Sequence, residues 1–295
     1  MSPVFSTTPL WIAARHLLGV HSADFFLRWA KVTKGFGVEE IHDLRVASRR
    51  LREGLALFEP CFPDKELSRI GKQVKQVTGI LGSLRNTDES ILFFSALEPE
   101  ELLQADLEVR DLLTHLEKEG KAARKKLKGD LHAIKPGPLK SVLSATLDKP
   151  QLFGNTQVDP FQDFSLFADV AITVREQPLS KLLPQALDEA NINAQHQLRI
   201  AVKRMRYRLE ILEPLFSSDF PELHRALKGY QEVLGKLHDL DVFAQMLLDR
   251  IPEGAGQKSL LLTIAAKRSR LYASFLEMLG SFPVDTIGAQ ARSYL

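Results

Sequence analysis

The sequence predicts an all-α fold built from two similar halves, and three observations carry the prediction. Apolar residues recur three and four positions apart through most of the chain, with few alternating stretches. Proline, glycine and capping residues punctuate these runs at helix-length intervals. A segment beginning at residue 42 returns 154 residues later with ten of its 21 positions identical.

The elements follow in order. Thr8-Pro9 suits an N-cap followed by proline at the first helical position, and Gly35-Phe36-Gly37 suits a stop. Glu59-Pro60 ends the next helix. Pro99 with Glu100 and Glu101 suits a start with acids in the first turn, and Lys135-Pro136-Gly137-Pro138 suits a stop. Lys149 to Pro160 contains two prolines and a Gly-Asn pair and reads as a linker. Ala171 to Val174 leans towards strand but is too short to outweigh its surroundings. Glu213-Pro214 and Ile251-Pro252 read as stops, and Asp219 to Glu222 as a start with a cap, a proline and an acid. Trp11, Phe25, Phe26 and Trp29 read as core.

The repeat pairs HDLRVASRRLREGLALFEPCF (42–62) with HQLRIAVKRMRYRLEILEPLF (196–216). A second match, LGSLRNTD (81–88) against LGKLHDLD (234–241), follows at an offset of 153. Two matches at nearly one offset imply a duplicated unit. The expectation is one domain over 1–295, with a first helical half at 1–150 and a second at 151–295, packed about a pseudo-two-fold axis. The linker falls on the implied boundary.

With 44% hydrophobic and 26% charged residues the chain can bury a core and stay soluble. The formal net charge is only +2, so bulk charge predicts no polyanionic partner, and any such case rests on where the charges sit. The single cysteine, Cys61, excludes an intramolecular disulfide and a cysteine-based zinc cage, and suits a reducing compartment. The N-terminal residues carry no basic leader. No apolar run approaches the roughly 18–20 residues of a spanning helix. A cytoplasmic location without membrane association is expected.

Placed on a helix at about 100° per residue, His42, Arg49, Arg45 and Arg52 fall within about 80° of one another. Leu44, Ala47, Leu51, Leu55 and Phe58 gather nearly opposite. In the second copy His196, Lys203, Arg199 and Arg206 repeat the stripe, and Leu198, Ala201, Met205, Leu209 and Leu212 repeat the apolar face. Arg50 and Arg204 lie on the flank. Segment 196–208 contains no acid. Like charges stacked on one helix face repel unless a counter-anion intervenes, and arginine offers a donor fork matched to phosphate oxygens. The following helix adds Lys72 and Lys75, matched at the second offset by Arg225 and Lys228. Four basic helices could line one cleft, whose field would far exceed what +2 suggests.

The pattern H-x-x-R-(V/I)-x-x-(R/K)-R-(L/M)-R, followed by L-G-x-L-(R/H)-(N/D)-x-D and repeated, resembles the CHAD family, the conserved histidine α-helical domain. The resemblance covers nearly the whole chain. It implies two four-helix-bundle-like halves about a pseudo-two-fold axis and a central basic surface that binds inorganic polyphosphate. The implied binding positions are His42, Arg45, Arg49, Arg50, Arg52, Lys72, Lys75, His196, Arg199, Lys203, Arg204, Arg206, Arg225 and Lys228. Two departures weaken roles for Arg85 and His238: the first L-G element reads Arg-Asn-Thr-Asp, and the second carries histidine where the family has arginine. No Glu-x-Glu-x-Lys of a CYTH triphosphatase is present, so the resemblance implies a stand-alone binding module, with polyphosphate granules as a place of recruitment.

Each feature also has a plainer reading. One basic stripe alone would be a solvated face; a duplicated stripe that keeps its spacing points to a ligand. A histidine ringed by arginines is a poor cation site, so no metal and no cofactor are expected. Lys121 to Lys128 reads as a solvated face beside Glu117 and Glu119. Asp88 and Asp241 suit helix caps or arginine partners. No Walker loop, H-E-x-x-H or G-x-S-x-G occurs. The expected function is binding rather than catalysis. A polyphosphate-processing enzyme, a phosphotransfer protein and a binder of another polyanion remain open. The stripes' near lack of aromatics argues against nucleic acid.

Overall fold

The computed structural model describes residues 4–63, 65–154, 157–216 and 220–295, apart from the side chains of 83–85. Among the described residues every regular element is helical: α1 (Leu10–Gly35), α2 (Val38–Leu57), α3 (Glu66–Ser95), α4 (Pro99–Leu102), α5 (Asp106–Ala133), α6 (Pro136–Leu147), α7 (Phe164–Ala186), α8 (Ile192–Leu212), α9 (Phe220–Arg250), α10 (Ala255–Ser281) and α11 (Ile287–Ser293). Short 3₁₀ turns follow α2 and α8 at the two Glu-Pro stops. The starts of α1 and α7, α2 and α8, the two 3₁₀ turns, and α3 and α9 are each 154 residues apart, the spacing of the sequence repeat. No helix is long and apolar enough to cross a membrane among the described residues.

In the first half α1 packs on α2, α2 on α3 and α3 on α5; in the second α7 packs on α8, α8 on α9 and α9 on α10. Between the halves the main contact is α2 against α8. The apolar faces drawn from the sequence are the ones that go inside: Leu44, Leu51, Leu55 and Phe58, and Leu198, Met205, Leu209 and Leu212, are all buried. Each such side chain contributes about 1.5–3 kcal/mol on leaving water. One hydrophobic core runs through both halves and holds Phe25, Trp29, Phe164 and Tyr230. A second, smaller core joins the far ends of α3 and α5 to α9 and α10 through Phe94, Leu112, Phe243 and Leu260.

Several local expectations change. Thr8 does not cap α1. Pro9 occupies the cap position, and the first free amides, of Leu10 and Trp11, donate to the carbonyls of Gln162 and Pro160, both at 3.0 Å. The linker therefore caps the helix, and Pro9 pairs with Asp163 in an isolated antiparallel bridge. At the end of α1 the left-handed residue is Phe36 (φ 53°), not a glycine; its ring packs against His132 and under the Lys128 ammonium of α5. Pro99 does open a helix, with a Glu98–Glu101 capping box, but it ends after four residues. Ala171–Val174 lies inside α7, which also runs through Pro178 and Pro184. Asp219 lies outside the described residues. Phe25, Phe26 and Trp29 are core, whereas Trp11 is half-buried.

Candidate functional site: a basic cavity on the seam between the halves

The two basic stripes meet because α2 and α8 meet. Arg45 and Arg49 of α2 and Arg199 and Lys203 of α8 line one cavity of about 220 Å³. Its other walls are Gly82, Asn86 and Glu89 of α3 and His238, Asp239, Val242 and Phe243 of α9. On α3 these residues fall between Leu81 of the large core and Phe94 of the small one; on α9 they fall between Leu237 and Phe243. The cavity is thus the polar gap between two hydrophobic cores. The repeated L-G-x-L elements run beside it. Gly82 lines the cavity, and a side chain at Gly235 would start 3.9 Å from the Arg199 Nε.

Burial separates this stripe from a solvated face. Arg45, Arg199 and Arg206 are each at most 8% exposed, and Arg49, Arg52 and Lys203 are half-buried. Burial, then the like charges of Arg49 and Arg204, push the Arg52 guanidinium below the usual arginine range. Because Arg204 belongs to α8, positive charge faces positive charge across the seam. Glu89 and Asp239 are the acids among the cavity's lining residues.

His196 and His238 touch, with Nδ1 atoms 3.0 Å apart and ring centroids 4.2 Å apart. One ring must donate and the other accept, so in this geometry the two cannot both be imidazolium. Burial, then the charges of Arg199 and Lys203, lower the His196 pKa, against a raising effect of Asp241. His238, discounted on sequence, is therefore part of the cavity wall. The two repeat histidines differ in surroundings. His196 sits behind the wall against His238, His42 is exposed beside Asp43 at 3.8 Å, and neither is among the cavity's lining residues.

Two assigned arginines are engaged by the protein's own carboxylate. Glu210 of α8 accepts Arg50 Nε at 2.6 Å, Arg206 Nη1 at 2.5 Å and His224 Nε2 at 2.9 Å. Arg206 also donates to Gln231 at 2.9 Å and lies over the Tyr207 ring. The acid-free run noted in the sequence stops at 208, and Glu210 is the next acid. It sits one turn after Arg206 and across the seam from Arg50. Arg50 and Arg206 thus serve the seam rather than the cavity lining. Lys72, Lys75, Arg225 and Lys228 are exposed on α3 and α9, outside the lining, and Arg204 is exposed at the seam. Asp88 and Asp241 pair with Arg124 at 2.7 Å and Arg268 at 2.6 Å. The run 121–128 is exposed apart from Ala123 and Leu127. Arg85 lies outside the described side chains.

The Glu210 cluster has a consequence for acid stability. Burial alone would raise its carboxyl, but hydrogen bonds from His224 and Arg50 and the charges of Arg206 and Arg50 outweigh it. They hold the pKa at about 2, below the ordinary 4.5. A depressed carboxylate stabilises the fold above its unfolded pKa, and that contribution is lost as pH falls through the folded one. About 3 kcal/mol is therefore expected to disappear between roughly pH 4.5 and pH 2. Denaturant melts across that window should show the loss in the native protein and a smaller one in Glu210→Gln. Equal slopes would remove Glu210 from the account.

Fold and site together define a class: an all-helical protein with a buried basic cavity at a seam between two helical bundles. The chain belongs to the CHAD domain family, whose model matches residues 17–248. Among solved structures the crystal structure of the CHAD domain from the plant Ricinus communis aligns with a TM-score of 0.66 at 22% identity, covering 100% of this chain and 95% of that one. PptA from Streptomyces chartreusis aligns with a TM-score of 0.61 at 15% identity, covering 97% of this chain and all of that one. No curated protein matches the chain.

Proposed function

We propose that the protein is a binding module for inorganic polyphosphate, held at the α2–α8 seam by Arg45, Arg49, Arg199 and Lys203, with Arg52 and Arg204 extending the track. The observation that carries the reading is the convergence of four basic side chains from two repeated helices on one cavity. Such an arrangement offers an extended anion several charge-assisted hydrogen bonds at once. Family membership adds weight, since CHAD domains are known for association with polyphosphate. The exposed bases Lys72, Lys75, Arg225 and Lys228 would then act as outer steering charges rather than as direct ligands. The equal spacing of helix starts supports a duplicated unit of about 150 residues, the first half at 1–150 and the second at 151–295. The reading is of a binder rather than a catalyst, at home in a cytoplasm that stores polyphosphate in granules.

Titrating the protein with polyphosphates of several lengths, orthophosphate and duplex DNA at two salt concentrations tests it. Affinity should rise with chain length and fall steeply with salt, by about one logarithmic unit per tenfold salt for each phosphate charge neutralised. DNA should bind far more weakly at equal charge. Length-independent binding, or DNA binding as tight as polyphosphate, would sink the assignment. Incubation with polyphosphate and Mg²⁺ should release no orthophosphate; steady release would make the protein an enzyme.

A further inference from the structure

The basic cavity does not end at its acids. Glu89, Asp239 and Phe243 also line a larger hollow of about 510 Å³, completed by Leu92 and Phe93 of α3 and by residues of α9 and α10. Phe93 stacks on Phe243 with centroids 4.5 Å apart. Leu92 beside it is 66% exposed, a large apolar side chain left in water. The bases on this hollow are partly spent locally: Lys236 pairs with Glu232 at 3.0 Å and Lys267 with Glu101 at 2.7 Å. Arg270 also lines the hollow, whose exposed lining is mainly apolar.

Three chemistries lie side by side across the two adjoining hollows: guanidinium and ammonium groups, two shared carboxylates, and an aromatic and aliphatic surface. An inorganic chain presents only oxyanions and uses the first. A nucleoside polyphosphate presents the same order in one molecule. Its phosphates suit Arg45, Arg49, Arg199 and Lys203. Its ribose hydroxyls are donors of the kind that carboxylates accept. Its flat base suits an apolar wall that includes an aromatic pair. We propose that the two adjoining hollows together bind a nucleoside polyphosphate, phosphates in the basic cavity, ribose at the shared Glu89 and Asp239, and base against Leu92, Phe93 and Phe243. This rests on the phosphate reading of the basic cavity and adds a second ligand class to it.

Calorimetry of the full chain with ATP, tripolyphosphate and adenosine in Mg²⁺-free buffer tests the proposal. Tripolyphosphate carries at least as much charge as ATP, so charge alone cannot favour ATP. ATP is expected to bind roughly tenfold more tightly than tripolyphosphate. Leu92→Asp, an exposed position whose helicity is checked by circular dichroism, should bring that ratio to about one. Equal affinities in the native protein, or a ratio untouched by Leu92→Asp, would overturn the base seat and leave the phosphate reading standing. Failure of both ATP and tripolyphosphate to bind while long-chain polyphosphate still binds would overturn the nucleotide proposal alone; failure of all three would overturn the phosphate reading with it.

Discussion

Replacing Arg45 and Arg199 together by alanine is expected to weaken polyphosphate binding by about two to four orders of magnitude. The two guanidinium groups come from opposite sides of the seam and line the same cavity. A hydrogen bond to a charged group is worth about 1.5–3 kcal/mol, so removing one from each side costs about 3–6 kcal/mol. The salt dependence should become shallower by about two phosphate charges. The fold must be shown intact before the loss is read as binding. Isothermal titration with long-chain polyphosphate, paired with circular dichroism, reads both effects. Affinity within a few fold of the native value would show that the cavity is not where the polymer lies.

Glu53→Ala should have the largest effect on stability. Glu53 is buried on α2 and receives Arg175 Nε and Nη2 of α7 at 2.8 and 3.0 Å and Arg208 Nε and Nη2 of α8 at 2.8 and 2.7 Å. Arg208 also donates to the Ala171 carbonyl at 3.1 Å. Burial already lowers the Arg208 pKa, offset by the charge of Glu53. Removing the carboxylate strands two guanidinium groups away from water, a destabilisation of about 3–5 kcal/mol. The melting temperature should fall on the order of 10 °C. Glu53→Ala with Arg208→Met should recover part of the stability, since the pair is coupled. Polyphosphate affinity measured below the transition should be unchanged, because Glu53 does not line the cavity. A destabilisation under about 1 kcal/mol would make the cluster an incidental surface pair.

These two expectations separate binding from architecture among residues that look alike in sequence. Arg49 and Arg50 are neighbours, as are Arg206 and Tyr207. Their fates are set by angles on the helix and by which acid lies across the seam. Arg49 meets Arg199 and Lys203 at the cavity, whereas Arg50 meets Glu210. Nothing in the spacing of residues 42–62 contains Glu210, which stands 160 residues from Arg50. His238 is the opposite case. Its departure from the family's arginine suggested a weakened position, yet it stands against His196 in the wall. The repeated L-G-x-L register was the signal that could have found it, since Gly82 and Gly235 both lie at the bases they accompany.

The helices, their apolar faces, the family and the set of bases from which the site is drawn were all legible in the linear order of residues. Those are properties of local periodicity and of short-range repeats, and both survive in a one-dimensional reading. Which parts of the two stripes meet, and that Glu53 and Glu210 withdraw Arg175, Arg208, Arg50 and Arg206 into the seam, follows from how α2 and α8 pack. The same packing sets an apolar hollow beside the basic cavity. Charge pairing between residues far apart in the chain depends on which helix faces meet, and packing of the whole core sets that geometry.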